Sequence, residues 1–245
     1  MKVAPSMLRR FGSIEPNGSR VVLPAFHPAV RGGRSIFASR VFDVDEVDRL
    51  LKSGHNSRKI GSFVTKGPRR GWPIFTLTLE ERATCPRTCK EYLTCFGNNM
   101  QAAERITHGA EMEAQLMREL AGLQREHPAG FMVRLHVLGD FYSEDYVAMW
   151  SEALDRFPAL HVFGFTARLP GTSIGDAIMS LAEEDWERFA IRFSGADLPE
   201  KASEVLALGD DSQHVICPAQ TGATQTCGTC ALCWHSRRNI AFRRH

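Results

Sequence analysis

No stretch of this chain approaches the roughly 20 consecutive apolar residues that span a bilayer. Its first segment, MKVAPSMLRRFGSIEPNGSR, is basic but lacks the apolar run of a signal peptide. Membrane insertion and secretion are therefore not expected, and a cytoplasmic, reducing compartment is. An excess of one charge is missing too: 30 Lys+Arg against 28 Asp+Glu leave a formal net charge of +2, which is not the composition of a histone-like polyanion binder. Sequence repeats and low-complexity segments are also absent. The charge bias that exists is local. Arg237, Arg238, Arg243 and Arg244 crowd the C-terminal end, and Lys66, Arg69 and Arg70 gather upstream. Runs of this kind are either contacts for phosphate or a solvated basic face.

What remains is an ordinary globular composition, 245 residues with 43% hydrophobic and 24% charged, enough to bury a core without covalent staples. Seven cysteines stand out. In a reducing compartment, and in odd number, they point to metal ligation or catalysis rather than to a disulfide framework.

Residues 1–70 are rich in Gly, Ser and Arg, with one helix expected at 44–52 (VDEVDRLLK), and read as an N-terminal extension packed on the core. From residue 71 short β-branched and aromatic runs alternate with helical segments, the signature of βα units and a mainly parallel sheet. Strands are expected at 73–79, 131–138, 161–167, 189–194 and 214–217. Helices are expected within 100–126 and at 143–157, 173–187 and 199–208, with Ser143 as an N-cap and Glu144 and Asp145 in the first turn. Residues 71–216 then form the core, and 217–245 a cysteine-rich tail.

Alternation within the strands suggests two unlike faces. Phe131, Val133, Leu135 and Val137 oppose Arg134, His136 and, just beyond, Asp140. Phe163 and Phe165 oppose Thr166 and Arg168, and Phe189, Ile191 and Phe193 oppose Arg192 and Ser194. A parallel sheet is normally buried on both faces, and unpaired arginines there would be costly. An α/β fold is therefore expected, a partial or complete (β/α) barrel whose polar lumen binds an anion, with function at the C-terminal ends of the strands. An ordinary sheet with one solvated face is the alternative.

The tail, HVICPAQTGATQTCGTCALCW, spaces Cys217, Cys227, Cys230 and Cys233 so that the last three converge on one ion or cluster and Cys217 closes the set. Zinc is the simplest occupant, and a second iron–sulfur cluster suits the same run. The first group, ATCPRTCKEYLTC, holds Cys85, Cys89 and Cys95 with gaps of three and five residues. Three thiolates suit a four-iron (4Fe-4S) cluster with one iron left free for substrate or cofactor. Spacing alone also allows Cys217 to belong to this first group.

A strand followed at once by a cysteine loop, then a strand ending in Gly139-Asp140-Phe141, then one ending in Thr166-Ala167-Arg168, resembles the front half of radical S-adenosylmethionine enzymes. That superfamily's usual gaps are three and two, and its acid is Glu. The resemblance implies a 4Fe-4S cluster at Cys85, Cys89 and Cys95 and S-adenosylmethionine bound at its open iron. Asp140 would meet the amino group, and Arg168 or Arg192 would pair with a carboxylate or phosphate. Thr166 and Ser194 would line the same site, and His136 would be either a lumen acid–base or a core histidine. LTLEERATCPRTC, RLHVLGDFYSEDYVAMW, FGFTAR and CGTCALCW…IAFRRH are closer still to the gene product 88 family, over roughly residues 55–245. That likeness implies an iron–sulfur or other metalloprotein of phage or mobile-element origin, with no reaction attached.

Two readings of function result. One is a radical-S-adenosylmethionine-like enzyme acting on a small molecule or a nucleic acid. The other is a zinc- or cluster-stabilised nucleic-acid-binding or regulatory protein. Its basic termini would contact phosphates, and Trp72, Trp234 and Phe242 would stack on bases.

Overall fold

A computed structural model describes residues 21–57, 59–207 and 210–244. In chain order the elements are α1 (Pro28–Gly32), β1 (Val41–Phe42), β2 (Lys52–Ser53), β3 (Ile74–Thr76), β4 (Arg105–Ile106), α2 (Ala110–Glu126), β5 (Phe131–Leu135), α3 (Glu144–Arg156), β6 (Leu160–Thr166), α4 (Ser173–Glu184), β7 (Phe189–Ser194), β8 (Ala202–Leu206), β9 (Val215–Ile216), α5 (Pro218–Thr221), α6 (Cys227–Cys230), α7 (Leu232–His235) and β10 (Ile240–Arg243).

The fold is mixed α/β with a parallel-rich sheet. Eight strands run in the order β2-β3-β5-β6-β7-β8-β10-β9. Only β2 is antiparallel to its neighbour, and β1 and β4 form a separate two-stranded pair. The sheet is open among the described residues, because the edge strands β2 and β9 do not pair with each other. The described strands therefore do not form a closed barrel. The N-terminal extension and the tail both supply strands to this one sheet, and β10 enters between β8 and β9. No described helix is long and apolar enough to cross a membrane.

The amphipathic helices form where expected. The Ser143 hydroxyl accepts from the Tyr146 N–H and caps α3, with Glu144 and Asp145 in the first turn. Two expected helices do not form. At 44–52, Asp43 and Glu46 make a capping box for a single 3₁₀ turn. Beyond it the Leu50 and Leu51 N–H groups donate to the Glu119 carboxylate, at 2.8 and 2.9 Å, instead of to carbonyls one turn back. At 199–208 the backbone of Lys201 is left-handed (φ 64°), which an α-helix excludes. The residues after it become β8, paired with β7 and β10.

Register corrects the expected division of faces. Thr76, Arg134, Phe163 and Ala190 stand side by side across β3, β5, β6 and β7, and Phe165 pairs with Arg192. Paired residues share a face, so the arginines lie with Phe163 and Phe165, whereas Thr166 pairs with Phe193 on the other face. The arginine face is covered by the tail: Trp234 of α7 packs on Phe163, Phe242 of β10 on Phe165, and Gly228 of α6 lies against Ile74. The opposite face receives the helices. There Phe141 links Phe189 of β7 to Tyr146 of α3.

Candidate functional site

The chain leaving β3 runs through Leu77 and Leu79, both fully buried, and turns over the C-terminal end of the parallel strands. The cysteine loop starts there. Cys85 and Cys89 pack with Leu23, Val30 and Tyr92, and Lys90 reaches across to the Gly195 carbonyl beyond β7 (3.1 Å). The three thiols lie close enough to oppose one another's ionisation. Burial, then the Asp140 carboxylate, pushes Cys85 well up, with Cys95 and Cys89 adding to it. Burial pushes Cys89 up to about 11. Cys95 is raised by burial and Glu81, and pulled back by Arg82 and Arg105. A metal bound by these sulfurs would displace their protons.

Asp140 ties this loop to the next two strands. Its Oδ1 accepts from the Phe141 N–H (2.8 Å) and the Thr166 hydroxyl (2.7 Å), and its Oδ2 from the Ala167 N–H (2.7 Å). Its own N–H donates to Thr84 Oγ1 (3.0 Å). Burial raises its pKa to about 6, against the opposing pull of these donors and of Arg168. Asp140 is not a helix cap, since Ser143 fills that role. Arg168 completes the tie. Its Nε donates to the Phe141 carbonyl and its Nη2 to the Thr84 carbonyl, each at 2.7 Å. Cys85, Cys89, Cys95, Asp140, Thr166 and Arg168 thus converge at the C-terminal ends of β3, β5 and β6, where open α/β sheets bind ligands.

His136, Arg192 and Ser194 lie elsewhere. His136 is turned into the core, its Nε2 against Tyr146 Oη (3.1 Å) and its ring edge-on to Phe141. Burial lowers its pKa to about 3, and Arg134 adds to the effect. Arg192 is fully buried and donates only to main-chain carbonyls of the tail: those of Cys233 (3.1 Å), Arg238 (2.7 Å), Leu232 (3.4 Å) and Ser236. Its fork holds the tail, which leaves it unplaced for a carboxylate or phosphate. The Ser194 hydroxyl bridges to Ser203 on β8 (3.3 Å).

Cys217, Cys227, Cys230 and Cys233 all line one cavity of about 10 Å³, with Leu232 and Trp234 among its apolar walls. That is about the room one water-sized particle occupies. Cys217 therefore sits with the tail cysteines. Burial pushes Cys227 up to about 11 and Cys233 up to about 12, and neighbouring thiols reinforce both shifts. Lys59 and Arg134 act against this at Cys227, and Arg192 and Arg134 at Cys233. Among the described residues no group of three or more His, Cys, Asp or Glu side chains is assembled to hold a metal ion. The donors are of the soft type that a tetrahedral thiolate site uses: four thiols border one small cavity, and Lys59, Arg134 and Arg192 lie near enough to favour the thiolate form of Cys227 or Cys233.

The basic C-terminal residues are largely engaged. Arg237 meets Glu200 (3.4 Å), Arg244 meets Glu91 (3.3 Å), and Arg243 donates to the Asp210 carbonyl. Trp234 is buried against Phe163 and offers no free face for a base.

The charges beneath the first loop carry no periodic or motif signal in the sequence. Glu80, Glu81, Arg82 and Arg105 are all buried. Arg105 bonds Glu81 (2.7 Å) and the carbonyls of Gly97, Met100 and Ala103. They show there only as Glu-Glu-Arg directly after an apolar strand, where a solvated turn is the usual meaning of three adjacent charges.

The family model described as gene product 88 matches residues 49–236. The matched span takes in all seven cysteines and His136, Asp140, Thr166, Arg168, Arg192 and Ser194, and leaves out the basic residues from Arg237 onward and the segment before residue 49 that packs over the first loop. No curated protein and no solved structure matches the chain.

Proposed function

The chain belongs to the gene product 88 family, and on that premise we propose that it is an iron–sulfur metalloprotein with two thiolate centres. Cys85, Cys89 and Cys95 hold a 4Fe-4S cluster with one iron open to a ligand. Cys217, Cys227, Cys230 and Cys233 hold a single structural ion, zinc being the simplest. One observation carries the reading: three mutually interacting thiols and a buried carboxylate converge at the C-terminal ends of consecutive parallel strands.

A cluster held by three thiolates supplies one-electron chemistry at its open iron, and by the likeness to radical S-adenosylmethionine enzymes that cofactor is its proposed ligand. The chain's own residues do the rest. Asp140 fixes the cysteine loop to β6 through Thr166 and Ala167, and Arg168 clamps the same loop through the Thr84 carbonyl. Leu23, Val30 and Tyr92 shield two of the thiols from water. In the tail, Lys59, Arg134 and Arg192 offset the negative charge that four thiolates around a divalent ion would carry. A nucleic-acid role receives less support, because Arg237 and Arg244 already face Glu200 and Glu91.

Anaerobic purification with iron, sulfide and zinc analysis and visible spectroscopy tests the assignment. The triple variant Cys85→Ala/Cys89→Ala/Cys95→Ala should lose iron and sulfide and keep the tail ion, and S-adenosylmethionine should change the wild-type spectrum. A colourless wild-type protein holding zinc alone, or undiminished iron in the triple variant, would refute the first centre.

A further inference from the structure

The run Glu80-Glu81-Arg82 is buried throughout, with exposures of 2%, 0% and 4%. Both glutamates are satisfied. Glu80 accepts from Arg34 Nε (2.8 Å) and the Ser35 N–H (2.9 Å), and Glu81 from Arg105 Nε (2.7 Å) and the Ser35 hydroxyl (2.8 Å). Arg82 is not. Its Nη2 donates to Asn98 Oδ1, but Nε and Nη1 are buried without a hydrogen-bond partner. The Glu81 oxygen beside Nη1 is 3.8 Å away and already takes the Ser35 hydroxyl. A guanidinium cannot shed its proton, and leaving such donors buried and unpaired costs several kcal/mol.

Their surroundings point to what they await. Arg82 adopts a left-handed backbone (φ 65°), rare for a residue with a side chain, and its main chain hydrogen-bonds Cys85. The guanidinium stands 5.9 Å from the ring centre of Tyr92. That ring packs with Cys85 and Cys89, and its hydroxyl is likewise buried without a partner. Arg105, the other cation near Cys95, has each nitrogen committed to Glu81 or a carbonyl. The donors left over therefore belong to Arg82 and Tyr92, and they border the cysteine trio.

We propose that Arg82, assisted by the Tyr92 hydroxyl, is the hydrogen-bonding counter-charge of the anionic group that Cys85, Cys89 and Cys95 ligate, a positioning residue that sets the reduction potential of that group rather than its assembly. This rests on the assignment of a cluster to the trio. Hydrogen bonds to cluster sulfur and nearby positive charge favour the reduced form, because reduction adds an electron. Deleting them makes reduction harder.

The test compares wild type, Arg82→Lys, Arg82→Gln and Tyr92→Phe, all prepared anaerobically, by iron content and by spectroelectrochemical titration. All four should hold the same iron per chain. Arg82→Gln should lower the reduced-to-oxidised ratio at a fixed potential about tenfold or more, equal to about 59 mV for a one-electron couple. Tyr92→Phe should shift it in the same direction by less, and Arg82→Lys should restore most of the wild-type value. Should Arg82→Gln fail to fold, Tyr92→Phe and Arg82→Lys carry the test. Unchanged potentials with full iron would overturn the role of Arg82 and leave the cluster assignment standing, and so would loss of iron from a folded Arg82→Gln protein. Absence of iron from the wild type would remove both.

Discussion

Replacing Arg192 by Met removes the fork that fastens the tail to the sheet while keeping a stem of similar bulk. Arg192 is fully buried, faces four carbonyls between Leu232 and Arg238, and stands 5.4 Å from the Trp186 ring centre. Hydrogen bonds from a charged donor contribute about 1.5–3 kcal/mol each, and a buried acceptor left without one costs about 1–3 kcal/mol. Against that stands relief from burying a cation, which already depresses the Arg192 pKa. Weighing the two as for a broken buried charge contact gives a net loss of about 3–5 kcal/mol, a large share of a domain's usual stability of about 5–15 kcal/mol. Urea unfolding followed by tryptophan fluorescence should show this, since Trp234 is a buried tail residue packed on Phe163 of the sheet. The tail thiols should react faster with a thiol reagent than those of the wild type. Arg192→Lys should recover less than half of the loss, because one ammonium cannot span the carbonyls that a planar fork reaches. A Met variant within about 1 kcal/mol of wild type, with its tail thiols no more reactive, would refute the view that Arg192 holds this cover in place.

Two further outcomes are expected. Burial holds His136 at about 3 and His161 at about 4, both below the ordinary 6.5. Each is neutral when folded and takes up a proton on unfolding below pH 6.5, so stability is fully present above that pH and is lost as the pH falls toward 3–4. The loss is about 2 kcal/mol per histidine between pH 7 and pH 5. His136→Gln should roughly halve this pH dependence in urea titrations, and an unchanged slope would show that His136 is not buried neutral. Gly164→Ala places a methyl group on the Leu135 carbonyl oxygen of the neighbouring strand, a contact with backbone that no rotamer relieves. It should cost about 3 kcal/mol or more, read as a lowered melting temperature, and near-wild-type stability would contradict the close approach of β5 and β6.

The periodic elements were legible in the sequence because their physics is local. Strands at Phe131–Leu135, Leu160–Thr166 and Phe189–Ser194, and helices at Glu144–Arg156 and Ser173–Glu184, follow from spacing and caps within each segment. The approach of the cysteine loop to Asp140 was legible for a related reason: the loop comes after β3 and Asp140 after β5, and neighbouring parallel strands bring those ends together. Three things were not. Residues 202–206 read as helix until β7 and β10 supplied partners, a tertiary override of local preference. Arg192 read as a ligand-binding cation because a sequence does not show which carbonyls will surround it. The buried Glu80-Glu81-Arg82 run drew no notice because its partners, Arg34, Ser35 and Arg105, are distant along the chain.

By itself, then, the sequence determined the strands and helices between residues 110 and 194, the two sets of thiols, and the sheet edge at which the first set lies. The tertiary structure alone decided which side chains share a face and what covers it. Register between parallel strands depends on contacts far apart in the chain, and those contacts set Arg134 and Arg192 among aromatic rings beneath the tail. They also left Arg82, alone of the buried charges under the first loop, with donors still to fill.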